Sequence, residues 1–179
     1  MTKVKKPVKK TVRRNIPVIY RVTALVIIAA AAIYFIFIYG SNNGANPDEE
    51  YMFKKSGELT VLTSSGASVK IDIQIARTEF DRQLGLMFRK SMNENQGMLF
   101  IFPDVRVRSF WMRNTEIPLD MIFVDTSKRI INIARNTTPY SDVSYPSDGP
   151  AKYVIEVNGG FSDRHNISKG DIVNWTQNN

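Results

Sequence analysis

The chain has 179 residues, of which 43% are hydrophobic and 23% charged, with no cysteine and one histidine. This composition is typical of one globular domain with an additional segment. It excludes disulfides, cysteine-ligated zinc, a cysteine-linked lipid anchor and any site built on two imidazoles.

The net charge of +7 is concentrated at the N-terminus. Residues 1–21 carry eight lysines and arginines and no acidic residue, whereas residues 22–179 carry 16 basic and 17 acidic residues, a formal charge of −1. Nucleic-acid binding requires a basic surface on the folded domain. The sequence therefore predicts no nucleic-acid partner.

An uncharged segment, VTALVIIAAAAIYFIFIY, follows the basic tail at residues 22–39. A helix of this length covers about 27 Å, close to the thickness of the hydrocarbon core of a bilayer. The alternative, a cleaved signal peptide, is less favoured because the segment is long and ends in bulky residues. Since the basic residues precede the segment, we expect a single-pass anchor in the cytoplasmic membrane. The N-terminus would lie in the cytoplasm and the domain outside, periplasmic or extracellular.

The predicted organisation is a basic cytoplasmic tail at 1–21, a transmembrane anchor at 22–39, a linker at 40–57, a domain at 58–176 and a short tail at 177–179. The linker is rich in Asn and Gly and lacks apolar periodicity.

Within the domain, apolar and polar residues alternate most clearly from Ser68 to Ile75, which predicts a strand. Thr78 is a candidate N-cap for a short helix that begins at Glu79. Further strands are predicted at 58–63, 98–102, 109–112, 119–124, 129–134, 152–157 and 171–175, and a long loop at 137–150. We therefore expect a β-rich α+β fold, a small antiparallel closed sheet or barrel with one short helix, preceded by a single N-terminal transmembrane helix.

Several motifs occur in an order that resembles a known family. They are GLMFR at 85–89, GMLF at 97–100, FWMRNT at 110–115, IPLD at 117–120, FVD at 123–125, PAKYVIE at 150–156 and GD at 170–171. Over residues 69–175 the chain resembles the DUF192 family, also called UPF0127, an uncharacterised prokaryotic group. The resemblance implies a compact β-rich domain, often behind a signal peptide or membrane anchor, and it implies no activity.

Asn114, Thr115 and Asp120 form a candidate polar corner around Pro118, whose ring fixes its φ angle. One interpretation is a turn whose side chains bond to the local backbone, with Asp120 as a buried acceptor for turn amides. The other is a ligand site. The sequence leaves both open and favours the first.

Arginines near the predicted helix, Arg82 and Arg89, could bind a carboxylate or phosphate of a ligand. The alternative is an ion pair with Glu79, Asp120 or Glu156, and for Arg89 a pair with Asp120 would fit both interpretations.

The roles of two further side chains, Glu156 and Trp111, depend on which face of the sheet each one lies on. Glu156 enters the barrel only if Ile155 and Val157 face outward. Trp111 is either a core residue or a ring that stacks on a ligand.

These observations predict a ligand-binding site formed by Arg89, Trp111, Asn114, Thr115 and Asp120, with no catalytic set, cofactor or metal. The expected function is a non-enzymatic binding or scaffolding module of the cell envelope, with a small molecule, glycan or protein as ligand. The alternative is a small hydrolase or lyase that uses Asp120 or Glu156 as general acid or base and Arg89 to stabilise negative charge. A third interpretation is a purely structural domain.

Overall fold

The computed structural model describes residues 18–41 and 51–178, with side chains in the first range described at Thr23 and residues 27–37. The chain divides into two compact units, Met1–Asn46 and Pro47–Asn179. The first contains helix α1, Val18–Ser41. Among the described residues, no helix combines the length and the hydropathy of a membrane span. Most of the predicted basic tail (1–17) and much of the predicted linker (42–50) lie outside the described residues.

In the second unit, the described residues 51–178 form seven strands and two short helices. The strands are β1 Gly57–Leu62, β2 Ser68–Ala76, β3 Gln96–Phe110, β4 Leu119–Val124, β5 Ile130–Ala134, β6 Tyr145–Asn158 and β7 Ile172–Gln177. Helix α2 is Glu79–Leu84 and helix α3 is Phe161–Arg164. The predicted N-cap Thr78 is present, and it forms a capping box with Asp81: Asp81 N donates to Thr78 Oγ1 at 3.0 Å, and Thr78 N donates to Asp81 Oδ2 at 3.3 Å. The second helix was not predicted.

All seven strands form one sheet in the order β5-β4-β6-β3-β2-β1-β7. Neighbouring strands are antiparallel except β2 and β3, which are parallel. The prediction of an antiparallel sheet is therefore wrong at this pair. The reason is the connection: α2 and the loop after it carry the chain from the end of β2 back to the start of β3, and such a crossover produces parallel strands.

The two edge strands approach each other at one end of the sheet. Arg129 and Ile172 form an isolated bridge. Beside it, Ile130 N donates to Asp171 O and Val173 N donates to Lys128 O, both at 2.9 Å. The sheet is therefore a curled half-barrel, which confirms the β-rich α+β class.

Hydrophobic residues cover both faces of the sheet. One core lies inside the curl and contains Ile155 and Val157 of β6, and a second core lies on the outer face and contains Val154. All six residues of β4 are buried. Because of the second core, the side chain of Glu156 points to the outer face without being solvated there, an arrangement that the sequence did not indicate.

Strand boundaries follow the predictions at β4 and depart from them at β3 and β6. β3 joins two predicted strands through Pro103, and β6 begins at Tyr145, within the predicted loop. Register shifts between Ile101 and Arg106 accommodate the interruption. Proline has no backbone N–H to donate, so a bulge is where a long strand can tolerate it.

Candidate functional site

A large cavity of the domain lies on the outer face, between α2 with its following turn and the second half of β3. Its volume is about 610 Å³. Four aromatic residues line it: Phe100, Phe102, Phe110 and Trp111. Charged residues line it as well: Glu79, Arg82, Asp104, Arg106, Arg108 and Glu156. We call this cavity the aromatic groove.

The phenylalanines of the aromatic groove pack edge to face. The ring of Phe110 lies 5.2 Å from that of Phe100 and 6.3 Å from that of Phe102, measured between centroids. Phe110 also contacts Phe123 of the outer core at 6.1 Å. Edge-to-face contacts hold rings in preferred orientations. The apolar wall of the groove is thus tied to the core, whereas Trp111 at its lip is 53% exposed.

Two arginines of the groove are held by the ring of Phe102. The guanidinium carbon of Arg108 lies 3.9 Å from the ring centroid and that of Arg82 lies 5.3 Å from it. Arg108 is buried and donates to Asp104 Oδ1 at 2.7 Å and to Ala151 O at 3.3 Å. The hydrogen bond from Arg108 is the main cause that lowers the pKa of Asp104. These contacts fix the guanidiniums before any ligand arrives.

Glu156 lies at the other end of the groove, on β6. Its side chain is 5% exposed, and its cross-strand neighbours are Met98 and Met121. It has no hydrogen bond or ion pair with any residue in the described part of the chain. Burial raises its pKa from 4.5 to about 8, and the positive charge of Arg89 opposes this rise in part. At neutral pH the carboxyl is therefore mostly protonated and offers an O–H donor to the groove.

Arg89 lies behind this carboxyl and outside the aromatic groove. It is 7% exposed, and its Nη2 donates to Gln74 Oε1 at 2.6 Å. Its Nη1 is buried and has no hydrogen-bond partner among the residues that the structure describes. Burial lowers the pKa of Arg89, while Glu156 raises it. Arg89 lines two neighbouring cavities, of about 40 Å³ and about 380 Å³.

Asp120 is fully buried and binds three backbone amides. Its Oδ1 accepts from Asn136 N at 2.7 Å and Gly160 N at 2.9 Å, and its Oδ2 accepts from Ser162 N at 2.8 Å. The neighbouring strand residues place Asp120 on the inner face, opposite Glu156 and away from Arg89. The Arg89–Asp120 pair considered from the sequence is not formed.

The remaining predicted site residues are divided between a turn and the groove. Asn114 is exposed with a positive φ of 56°, and its carbonyl accepts from Phe88 N at 2.9 Å. Thr115 is buried, lines the groove, and donates from Oγ1 to Arg113 O at 3.4 Å. Of the five predicted residues, Trp111 and Thr115 therefore lie on the groove.

Sequence reasoning missed the groove residues Phe102, Arg106 and Arg108. The available signal was the alternation of arginines with Val105 and Val107 directly after an aromatic run. Within the described residues, no group of three or more histidines, aspartates or glutamates is placed to hold a metal ion.

Comparison with known proteins relates this domain to a family. The DUF192 family model, described as an uncharacterized ACR, matches residues 60–175. A UPF0127 protein of Thermococcus sibiricus is 32% identical over 108 residues, which cover 58% of this chain and 65% of that protein, slightly less than two thirds of its length. A UPF0127 protein of Pyrococcus furiosus is 26% identical over 119 residues, which cover 64% of this chain and 95% of that protein.

Two crystal structures resemble the domain. A proposed transcription regulator from Sinorhizobium meliloti has a TM-score of 0.67 and 33% identity, covering 69% of this chain and 97% of that one. A protein of unknown function from Novosphingobium aromaticivorans has a TM-score of 0.64 and 42% identity, and the match covers 66% of this chain and 84% of that one.

Proposed function

Because this chain belongs to the DUF192 family, which is uncharacterised, we propose a function from the site itself: the domain is a non-enzymatic module that binds a ligand in the aromatic groove. The observation that carries the proposal is the groove of about 610 Å³, which combines aromatic walls with fixed arginines and a buried carboxyl that has no partner among the described residues. Ligand sites are typically concave, mostly apolar and furnished with a few placed polar groups. Arginines that are already fixed lose little conformational entropy on binding.

We further propose that residues 22–39 anchor the protein in the cytoplasmic membrane and that the domain lies outside it, in the cell envelope. The uncharged segment falls within the 24 residues of α1, and the eight basic residues precede it. A helix of that length measures about 36 Å. A periplasmic reporter fused after residue 45 should be active, whereas activity of a cytoplasmic reporter at the same site would reverse the orientation.

A nucleic-acid partner is not part of the proposal. The description of the Sinorhizobium protein as a transcription regulator concerns that protein. In this chain, residues 22–179 have a formal charge of −1, which provides no net attraction for phosphates.

A second candidate function is a hydrolase or lyase in which Glu156 is the general acid. Its pKa of about 8 and its position in the groove favour this alternative, because a general acid works best with a pKa near the operating pH. Arg89 is close enough to affect that pKa and would stabilise the carboxylate. Asp120 is unsuited to the role, since both its oxygens accept backbone amides. Turnover that Glu156→Gln abolishes would favour the enzyme over the binding module.

The binding proposal can be tested by ligand-induced changes in melting temperature. We would screen the full chain against acidic peptides, medium-chain carboxylates and oligosaccharides, and compare Trp111→Ala with Asp120→Asn. At least one class should stabilise the wild type and Asp120→Asn but not Trp111→Ala. Absence of any shift, or a shift that depends on Asp120 and not on Trp111, would refute the groove as the site.

A further inference from the structure

On the premise that the aromatic groove binds a ligand, we propose that the ligand is an extended peptide segment with a carboxylate. The carboxylate binds beside Arg106 and Arg108, apolar side chains lie against the phenylalanines, and a peptide carbonyl accepts a hydrogen bond from Glu156. This names the chemistry of the ligand, which the proposed function leaves open.

The two polar ends of the groove are separated along β6. Arg106 lies opposite Ala151 in the register of β3 and β6, and Met98 lies opposite Glu156. From position 151 to position 156 a strand advances about 16 Å, at about 3.3 Å per residue. An extended peptide of about five residues spans the same distance.

The arginine end has an excess of positive charge. Asp104 is the acidic partner of both arginines: its Oδ1 lies 2.7 Å from Arg108 Nη2, and its Oδ2 lies 3.2 Å from Arg106 Nε. Arg108 Nη1 has no hydrogen bond to any residue that the structure describes, and the Arg106 side chain is 71% exposed. Guanidiniums pair well with carboxylates because their N–H groups match both oxygens.

The Glu156 end requires an acceptor from the ligand. The carboxyl is buried among Met98, Met121 and the outer core and has no hydrogen bond to the described residues. A ligand that fills the groove removes water from this carboxyl, so a ligand that supplies a carbonyl oxygen gains a hydrogen bond there. Peptides carry such carbonyls at every residue.

Other ligand classes match one end only. A fatty carboxylate satisfies the arginines but brings its hydrocarbon tail to Glu156. A sugar needs acceptors as well as donors, whereas the groove beyond its rim offers the donors Arg108 and the protonated Glu156, and the Thr115 hydroxyl proton is already donated to Arg113 O. The apolar stretch between the ends, with Phe100, suits the side chains of a peptide.

Fluorescence of Trp111 provides a local probe of binding. The chain has two tryptophans, and the other, Trp175, packs edge to face against Tyr153 and lies outside the groove. In full-length Trp175→Phe protein, the emission reports on Trp111 alone. We would titrate acetyl-Ala-Phe-Ala-Leu-Glu with a free C-terminus, and as control the same peptide with lysine for glutamate and an amidated C-terminus.

The acidic peptide should shift the emission to shorter wavelength and bind at least tenfold more tightly than the lysine amide. Arg106→Gln should weaken its binding about fivefold, and Glu156→Leu about tenfold. The control Arg129→Gln, at an exposed arginine beside β7, should leave binding unchanged. Equal binding of both peptides, or no effect of Arg106→Gln, would overturn the inference.

Dodecanoate and a cello-oligosaccharide, titrated in the same way, separate the two levels of the argument. If either one binds at Trp111 and the acidic peptide does not, the peptide inference is wrong and the groove is still a binding site. If none of the probes binds, both the inference and the proposed function are wrong.

Discussion

Replacing Glu156 with glutamine should change how the stability of the domain depends on pH. The pKa of this carboxyl is about 8 in the folded protein, against an ordinary value of 4.5. The charge that acts on this carboxyl is that of Arg89, in the loop after α2. The neighbours of Glu156 on the adjacent strands are uncharged: Met98 on β3 and Met121 on β4. The dominant cause of the raised pKa is therefore loss of hydration on burial.

The direction of the pH dependence follows from the protonation of Glu156 in the folded and unfolded states. Below about pH 4.5 the carboxyl is protonated in both, and this group favours neither. Between 4.5 and about 8 the unfolded chain ionises while the folded protein stays protonated, so stability falls as pH rises. At about 1.36 kcal/mol per pKa unit, the loss attributable to Glu156 reaches about 5 kcal/mol above pH 8.

Glutamine has nearly the same shape and does not ionise, so the Glu156→Gln variant should lack this loss. Urea unfolding of the full chain, followed by tryptophan emission at pH 4.5, 6, 7.5 and 9, measures the difference from wild type. The advantage of the variant should grow by several kcal/mol from the lowest to the highest pH. Glu79→Gln, at an exposed position, is the matched control and should show no such trend. A difference between Glu156→Gln and wild type that stays within about 1 kcal/mol at every pH would refute the burial argument.

Three further substitutions test the framework of the domain, each by urea unfolding of the full chain. Asp120→Asn should cost about 3 kcal/mol, because a charged acceptor of three backbone amides is lost and the hydrogen bond from Ser162 N is buried; a cost near zero would contradict the structural role. Gly97→Ala should cost about 1–3 kcal/mol, since its Cβ would lie 2.6 Å from the carbonyl oxygen of Glu156; a neutral result would show that β3 and β6 can separate there. Thr78→Ala should cost about 1 kcal/mol by removing the capping box of α2, and an unchanged midpoint would mean that packing alone holds this helix.

The fold was predictable where a single face of a strand sets the pattern. Ser68–Ile75 alternates cleanly and forms most of β2, and the predicted β4 matches the observed strand. The parallel pairing of β2 with β3 was not predictable, because it depends on where a crossover returns the chain. The extension of β3 through Pro103 depends on a bulge, and a bulge leaves no periodic signal.

The site was less predictable than the fold because its residues are assembled by the second core. Asp120 and Asn114 were singled out for their polarity in a turn. In the structure both accept hydrogen bonds from backbone amides distant in sequence, Asp120 through its carboxylate and Asn114 through its main-chain carbonyl. The position of Glu156 could not be decided from its neighbours, since alternation separates two faces but does not say that both are buried. Trp111 was left open between the core and a ligand site with the core favoured, and the structure exposes its side chain instead.

The central claim is that this domain binds its ligand in the aromatic groove and not at the buried Asp120 corner. Hydrogen–deuterium exchange of the full chain tests it most directly, with and without the ligand that gives the largest melting-temperature shift. The account predicts added protection in residues 79–87 and 100–111, and unchanged exchange in residues 136–137 and 159–162. Protection confined to the second set of segments, with none in the first, would contradict it.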